Sequence, residues 1–203
     1  DGLTFNSQRI RAARIREEQD YEGVRLQMEA RMGSARLPVQ VDVGFGDALT
    51  PAPKRERLAT LLDFPGPRLL ICPWETVIAE KLEALVDLGM ANSRMRDFFD
   101  LHYLAATLNL EGHTLARAIQ ATFTRRRTPV PSEIPMGLSP AFGADAVKQT
   151  QWRAFVGRLR LDTKRRSLGD VLEGLRTFLL SPMAALTQKQ PFQMTWPPGG
   201  PWR

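Results

Sequence analysis

The sequence predicts an α+β protein, and three observations carry that prediction. Residues 21–45 alternate between apolar and polar side chains over two stretches. After Cys72 the apolar period changes from two to about 3.6, the repeat of a helix. A hydrophobic content of 43% over 203 residues is enough for a real core, in one domain or one and a half. The change of period divides the chain into a strand-bearing part, residues 1–70, and a helical part, residues 71–180. Residues 181–203 are rich in proline, glycine and glutamine and are expected to be an unordered tail.

The chain begins at Asp1, without a methionine, and residues 6–16 are polar with no helix or strand pattern. It reads as a fragment truncated on its N-terminal side. From residue 21 to 32, Val24, Leu26, Met28, Ala30 and Met32 share one face, and Arg25, Gln27, Glu29 and Arg31 the other. Residues 33–36 supply a turn. The alternation then resumes with Leu37, Val39, Val41, Val43 and Phe45 facing inward, so residues 21–46 form an antiparallel hairpin. Residues 50–68 hold Pro51, Pro53, Pro65 and Pro67 and read as a loop, with one short element near 58–62.

Pro73 suits the first position of a helix that runs to about Leu88, with Gly89 as its stop. Ser93 is placed to cap a second helix over 94–108, and a third covers 115–123. Pro129, Pro131, Pro135 and Pro140 mark a long linker. Two more amphipathic stretches follow, one with Trp152, Phe155, Val156 and Leu159 on a face, the other with Leu168, Val171, Leu172, Leu175 and Leu179.

Composition excludes several chemistries. A single cysteine, Cys72, allows no disulfide framework, and with only His102 and His113 besides, no Cys/His zinc site can be assembled. A metal would have to be held by carboxylates, which favours Mg²⁺ or Mn²⁺. The formal charge of +6 is compatible with a phosphate-bearing partner. Arg125, Arg126 and Arg127 read more readily as a solvated helix end. No apolar run is long enough to span a bilayer and no signal-peptide pattern opens the chain, so the cytoplasm is the expected location and no membrane partner is expected.

Four polar residues break their local patterns, which is where function is expected. Asp42 lies mid-strand, where aspartate is disfavoured, on the face of Gln40 and opposite the valines. It is either a rigidly placed carboxylate for a divalent ion or an exposed side chain on a solvated sheet face. On the first helix, Glu80, Glu83 and Asp87 form a polar arc, and Lys81 falls on the apolar side between Leu85 and Leu88. An ammonium there must snorkel or meet a negative partner. On the second helix Asp97 lies in the row of Leu101, Leu104 and Leu108, with Asp100 at its edge. Lys81 is thus either a phosphate-contacting lysine or half of a structural ion pair with Asp97, and the pair does not exclude the phosphate role, since an aspartate can orient such a lysine.

Three stretches, residues 39–47 (VQVDVGFGD), 75–84 (ETVIAEKLEA) and 93–101 (SRMRDFFDL), together resemble the AbiEii/AbiGii family of nucleotidyltransferase toxins, in order and in spacing. The resemblance runs from about residue 21 to 123 and more loosely to 179. It implies the C-terminal part of a polymerase-beta-like nucleotidyltransferase sheet followed by a helical domain. It further implies transfer of a nucleotide from a nucleoside triphosphate (NTP) to an acceptor, tRNA in some members, with Mg²⁺ or Mn²⁺. Toxin–antitoxin or abortive-infection biology and a cognate antitoxin come with it. Carried over by motif, Asp42 is a metal-site carboxylate, Lys81 contacts the nucleotide phosphates, and Asp97 with Asp100 is the acidic pair of the last motif.

One departure stands out. Members begin with a glycine-glycine or glycine-serine turn, followed about a dozen residues later by two carboxylates one residue apart. After Gly33 and Ser34 only seven residues precede Asp42, and Gly44 stands where the second carboxylate is needed. The expectation is therefore a chain inactive by itself, whose catalytic form draws carboxylates from an upstream segment. The rival expectation is a non-catalytic nucleotide-, RNA- or antitoxin-binding module that lost the first motif.

Overall fold

The computed structural model of the chain describes residues 2–16, 22–159 and 166–203. Tyr21, placed at the start of the expected hairpin, lies outside the described residues. The chain divides into two compact units, Asp1–Asp47 and Ala48–Arg203. The division thus falls well before Cys72, where the sequence period changes.

The first unit is an antiparallel sheet of β1 (Leu3–Phe5), β2 (Arg11–Arg16), β3 (Glu22–Met32) and β4 (Ala35–Gly44). The expected hairpin is there: Val24 opposes Val43, Leu26 opposes Val41, Met28 opposes Val39 and Ala30 opposes Leu37, so the apolar sets share a face. Gly33, at φ 58°, adopts the left-handed backbone that its two-residue turn requires. The stretch 6–16, expected to lack regular structure, instead holds a 3₁₀ turn (Ser7–Arg9) and β2. The cause is non-local. The long strand β3 offers its second edge first to β1, Phe5 against Ala30, and then to β2, Arg11 against Gln27. Pairing overrides an uninformative sequence.

The second unit opens with β5 (Lys54–Arg57) paired antiparallel to β6 (Arg68–Ile71). The proline-rich stretch read as a loop therefore returns on itself as a broad hairpin, and no regular element occupies 58–62. Among the described residues six α-helices follow, the five expected ones in order with one short addition, α4: α1 (Trp74–Leu88), α2 (Met95–Thr107), α3 (Gly112–Arg126), α4 (Pro140–Ala144), α5 (Ala146–Arg158) and α6 (Leu168–Thr187). Pro73 is the N-cap of α1 rather than its first turn, and Gly89 ends it as expected. Ser93 does not cap α2: Arg94 stands at the N-cap, and the Asn92 side chain accepts from the Arg94 amide at 2.8 Å.

The core lies in this unit. Ile78, Leu82 and Leu85 of α1, Phe98 and Leu101 of α2, Leu115, Ile119 and Phe123 of α3, and Leu172, Leu175 and Phe178 of α6 are buried together. The apolar row expected for α6 packs inward whole, all five residues being buried, and that of α5 packs inward through Trp152, Phe155 and Val156, with Leu159 standing past the helix end as its C-cap.

The tail expected to be unordered is packed. Pro182 lies inside α6, which runs on to Thr187, and β8 (Thr195–Trp196) pairs with β7 (Leu110–Glu111). The Trp196 indole donates to the Ala105 carbonyl at 2.7 Å and the Trp202 indole to the Phe178 carbonyl at 2.8 Å. Phe178, Phe192, Trp196 and Trp202 form one aromatic cluster. Gly200, at φ 72°, lies so close to the Trp196 ring that a Cβ would stand 2.4 Å from it. The average composition of the segment concealed three apolar anchors, and burying aromatic surface with each indole N–H bonded outweighs the cost of ordering the backbone.

Candidate functional site

Helix packing brings three of the four singled-out residues together. Lys81, in the middle of α1, extends its stem beside the core and places its ammonium between two carboxylates of α2. Its Nζ lies 2.6 Å from Asp97 Oδ1 and 3.0 Å from Asp100 Oδ2. The spacing of three residues puts Asp97 and Asp100 on one face of α2. Asp97 is also in the first turn, where the helix dipole favours a negative charge. Arg96 lies 3.7 Å from Asp100 on the solvent side.

The network is half-buried, the Lys81, Asp97 and Asp100 side chains being 20%, 17% and 30% exposed. Burial pulls the Lys81 pKa down, but the hydrogen bonds and charges of Asp97 and Asp100 more than offset it, and the net shift is upward. Lys81 is therefore a fixed cation at neutral pH. An ammonium has three N–H donors. Two are directed at the aspartates, and the third has no partner among the described residues.

Asp42 belongs to the first unit, where it pairs across strands with Arg25 in register. Arg25 Nε and Nη2 each donate at 2.8 Å to the two carboxylate oxygens, and Gln40 Nε2 adds a bond at 3.3 Å. The Arg25 hydrogen bond is the main cause that holds the Asp42 carboxyl below the usual aspartate range. The side chain is exposed and planar-paired, so both of its oxygens are engaged.

Two buried charges escaped the sequence pattern. Glu83, assigned to the polar arc of α1, is 2% exposed and accepts from Arg126 Nη1 at 2.6 Å and from Thr128 Oγ1 at 2.5 Å. Arg126 is thus a tie between α3 and α1 rather than part of a solvated helix end. Lys148, also buried, donates to the Asn92 carbonyl at 2.9 Å and lies 5.3 Å from the Phe142 ring centre. The available signal for Glu83 was its place at the edge of the polar arc, beside Thr76, Ala79 and Val86 on the helical wheel.

A family model for the nucleotidyl transferase AbiEii toxin of type IV toxin–antitoxin systems matches residues 2–174. The chain belongs to the AbiEii family. No curated protein and no solved structure matches it. The match covers nearly all of the first unit of this AbiEii chain, the second unit up to residue 174 and all four singled-out residues, and leaves the Trp196 and Trp202 cluster beyond its end. No helix among the described residues is long and apolar enough to cross a membrane.

Donor chemistry can be tested against the divalent ion the family resemblance implies. Among the described residues no group of three or more His, Cys, Asp or Glu side chains is placed to hold a metal. Asp42 is bidentate to Arg25, and Asp97 and Asp100 share the Lys81 ammonium. The described donor set does not fit Mg²⁺ or Mn²⁺.

Proposed function

We propose that the α1–α2 network is the phosphate-contacting element of a nucleotidyl transfer from an NTP to an acceptor hydroxyl, with an RNA such as tRNA as the acceptor. In that reaction the acceptor oxygen forms a bond to the α-phosphorus while the bond to the bridging oxygen breaks and pyrophosphate leaves. Lys81 supplies a pre-oriented positive charge where negative charge accumulates, and Asp97 and Asp100 position it. The observation that carries the reading is the Lys81 ammonium, held by two carboxylates with a donor to spare. The polymerase-beta-like sheet and the metal-site role of Asp42 belong to the same reading. A metal role for Asp42 requires that Arg25 yield at least one of its oxygens, and no step is assigned to an ion on the residues described. Membership of a toxin–antitoxin family supports a cognate antitoxin as partner.

A second reading, resting on the engagement of Asp42 by Arg25, is a module that binds nucleotide, RNA or antitoxin without transferring anything. Incubating the natural full-length protein with labelled NTP and total RNA separates the two. Label transferred to RNA, and lowered about 100-fold or more by Lys81→Ala, supports transfer. Transfer unaffected by Lys81→Ala overturns the role of the network, and NTP binding without any transfer supports the module.

A further inference from the structure

A cavity of about 670 Å³ opens between the N-terminus of α2 and one face of α5, next to the Lys81 network. Its wall carries Arg94 and Arg96 from α2 and Arg158 from α5, with Gln151 and Phe155 between them. We propose that this cavity binds phosphate groups of nucleotide chemistry, carried by a nucleic-acid strand or by a free nucleotide. The proposal goes beyond the transfer reading and does not depend on it.

The charge arrangement is the first argument. The positive end of a helix disfavours cations, yet α2 begins with arginines at its N-cap and second residue, and no side chain caps it. Among the described residues neither Arg94 nor Arg158 has a carboxylate partner. Arg96 is 82% exposed, and its contact with Asp100 is a loose one at 3.7 Å. The one acid in the wall, Asp97, is already matched by Lys81 at 2.6 Å. Three guanidinium groups around an uncapped helix start leave an excess of positive potential that an anion would relieve, and a guanidinium fork suits phosphate oxygens.

The second argument is an unmet hydrogen bond. Gln151 Oε1 is sealed from water and has no donor, an arrangement that costs stability unless something supplies one. A ribose hydroxyl or a base amino group would do so once the side chain turns its buried oxygen into the cavity that Gln151 lines. Phe155 adds an aromatic surface beside it, as sites for nucleotides commonly do. An inorganic anion would use only the arginines.

The experiment compares wild type with R94A/R96A/R158A for binding of a short single-stranded RNA, of each of the four NTPs and of inorganic phosphate, across a series of salt concentrations. The three side chains leave the core untouched, so unchanged far-ultraviolet circular dichroism and Tm are expected, and the single Arg94→Ala gives the same readout in smaller measure. A control, R55A/R57A/R68A, removes three exposed arginines from β5 and β6 with the same change of charge. The proposal expects salt-sensitive binding of RNA or NTP by wild type and by the control, weakened at least tenfold in R94A/R96A/R158A. Whichever ligand shows the loss identifies the source of the phosphate. No binding of either ligand, a loss under tenfold, an equal loss in the control, or binding of inorganic phosphate alone overturns it.

Discussion

Lys81 shows how one side chain can be read correctly and still be ambiguous. Its position on the apolar side of α1 demanded a partner, and Asp97 was the one available in the right row. The sequence offered no means of distinguishing a structural pair from an oriented phosphate ligand, because both use the same geometry. Titration addresses the structural half. Since the folded-state pKa of Lys81 is raised, its contribution to stability is fully present below the unfolded value near 10.5 and is lost as pH rises through the folded value. The Tm difference between wild type and Lys81→Met should therefore stay constant from about pH 7 to pH 9 and shrink above that range. Glu83 was harder to read. A helical wheel ranks a residue by its own helix, whereas the burial of Glu83 is decided by Arg126, far away in sequence on α3. Removing its charge leaves Arg126 facing a neutral side chain, and Glu83→Gln should lower stability by about 3 kcal/mol in urea unfolding.

Among the elements, helices were more legible than strands. The apolar rows of α5 and α6 follow from spacing alone, since a helix satisfies its hydrogen bonds within one segment. β2 was not legible, because its reason to exist is the free edge of β3. Helix starts fell between these cases. Ser167 caps α6 in a capping box, accepting from the Asp170 amide while Asp170 accepts from the Ser167 amide. Ser167→Ala should cost about 1 kcal/mol, measurable as a lower Tm. α2 is fastened at both ends by residues remote in sequence. Lys148 holds the carbonyl of Asn92 just before it, and Trp196 holds the carbonyl of Ala105 in its last turn. The helix that presents Asp97 and Asp100 to Lys81 is thus positioned by α5 and by the tail. Trp196→Phe, which keeps the ring but removes the indole donor, should lower Tm by the equivalent of about 1 kcal/mol.

At the scale of the whole molecule, the helices, their core and the tail belong to residues 48–203, while in the first unit Ala30 is the one buried apolar side chain among the described residues. A protein of residues 48–203 should therefore keep cooperative thermal unfolding by circular dichroism, with Lys81, Asp97 and Asp100 still paired. Loss of cooperativity would show that the sheet is needed to complete that core. Histidine adds a modest pH dependence to the same unit. Burial lowers the pKa of His102 on α2, assisted by Arg166, so the folded form prefers it neutral, and stability should fall as pH drops below about 6.5. The packed tail has an optical consequence. Trp152, Trp196 and Trp202 are 5%, 3% and 9% exposed, whereas Trp74 at the start of α1 is 51% exposed. A soluble quencher such as acrylamide should extinguish the red-shifted emission of Trp74 and spare the blue-shifted emission of the other three. W74F/W152F would then turn the native fluorescence into a light signal for the closed aromatic clasp of Trp196 and Trp202.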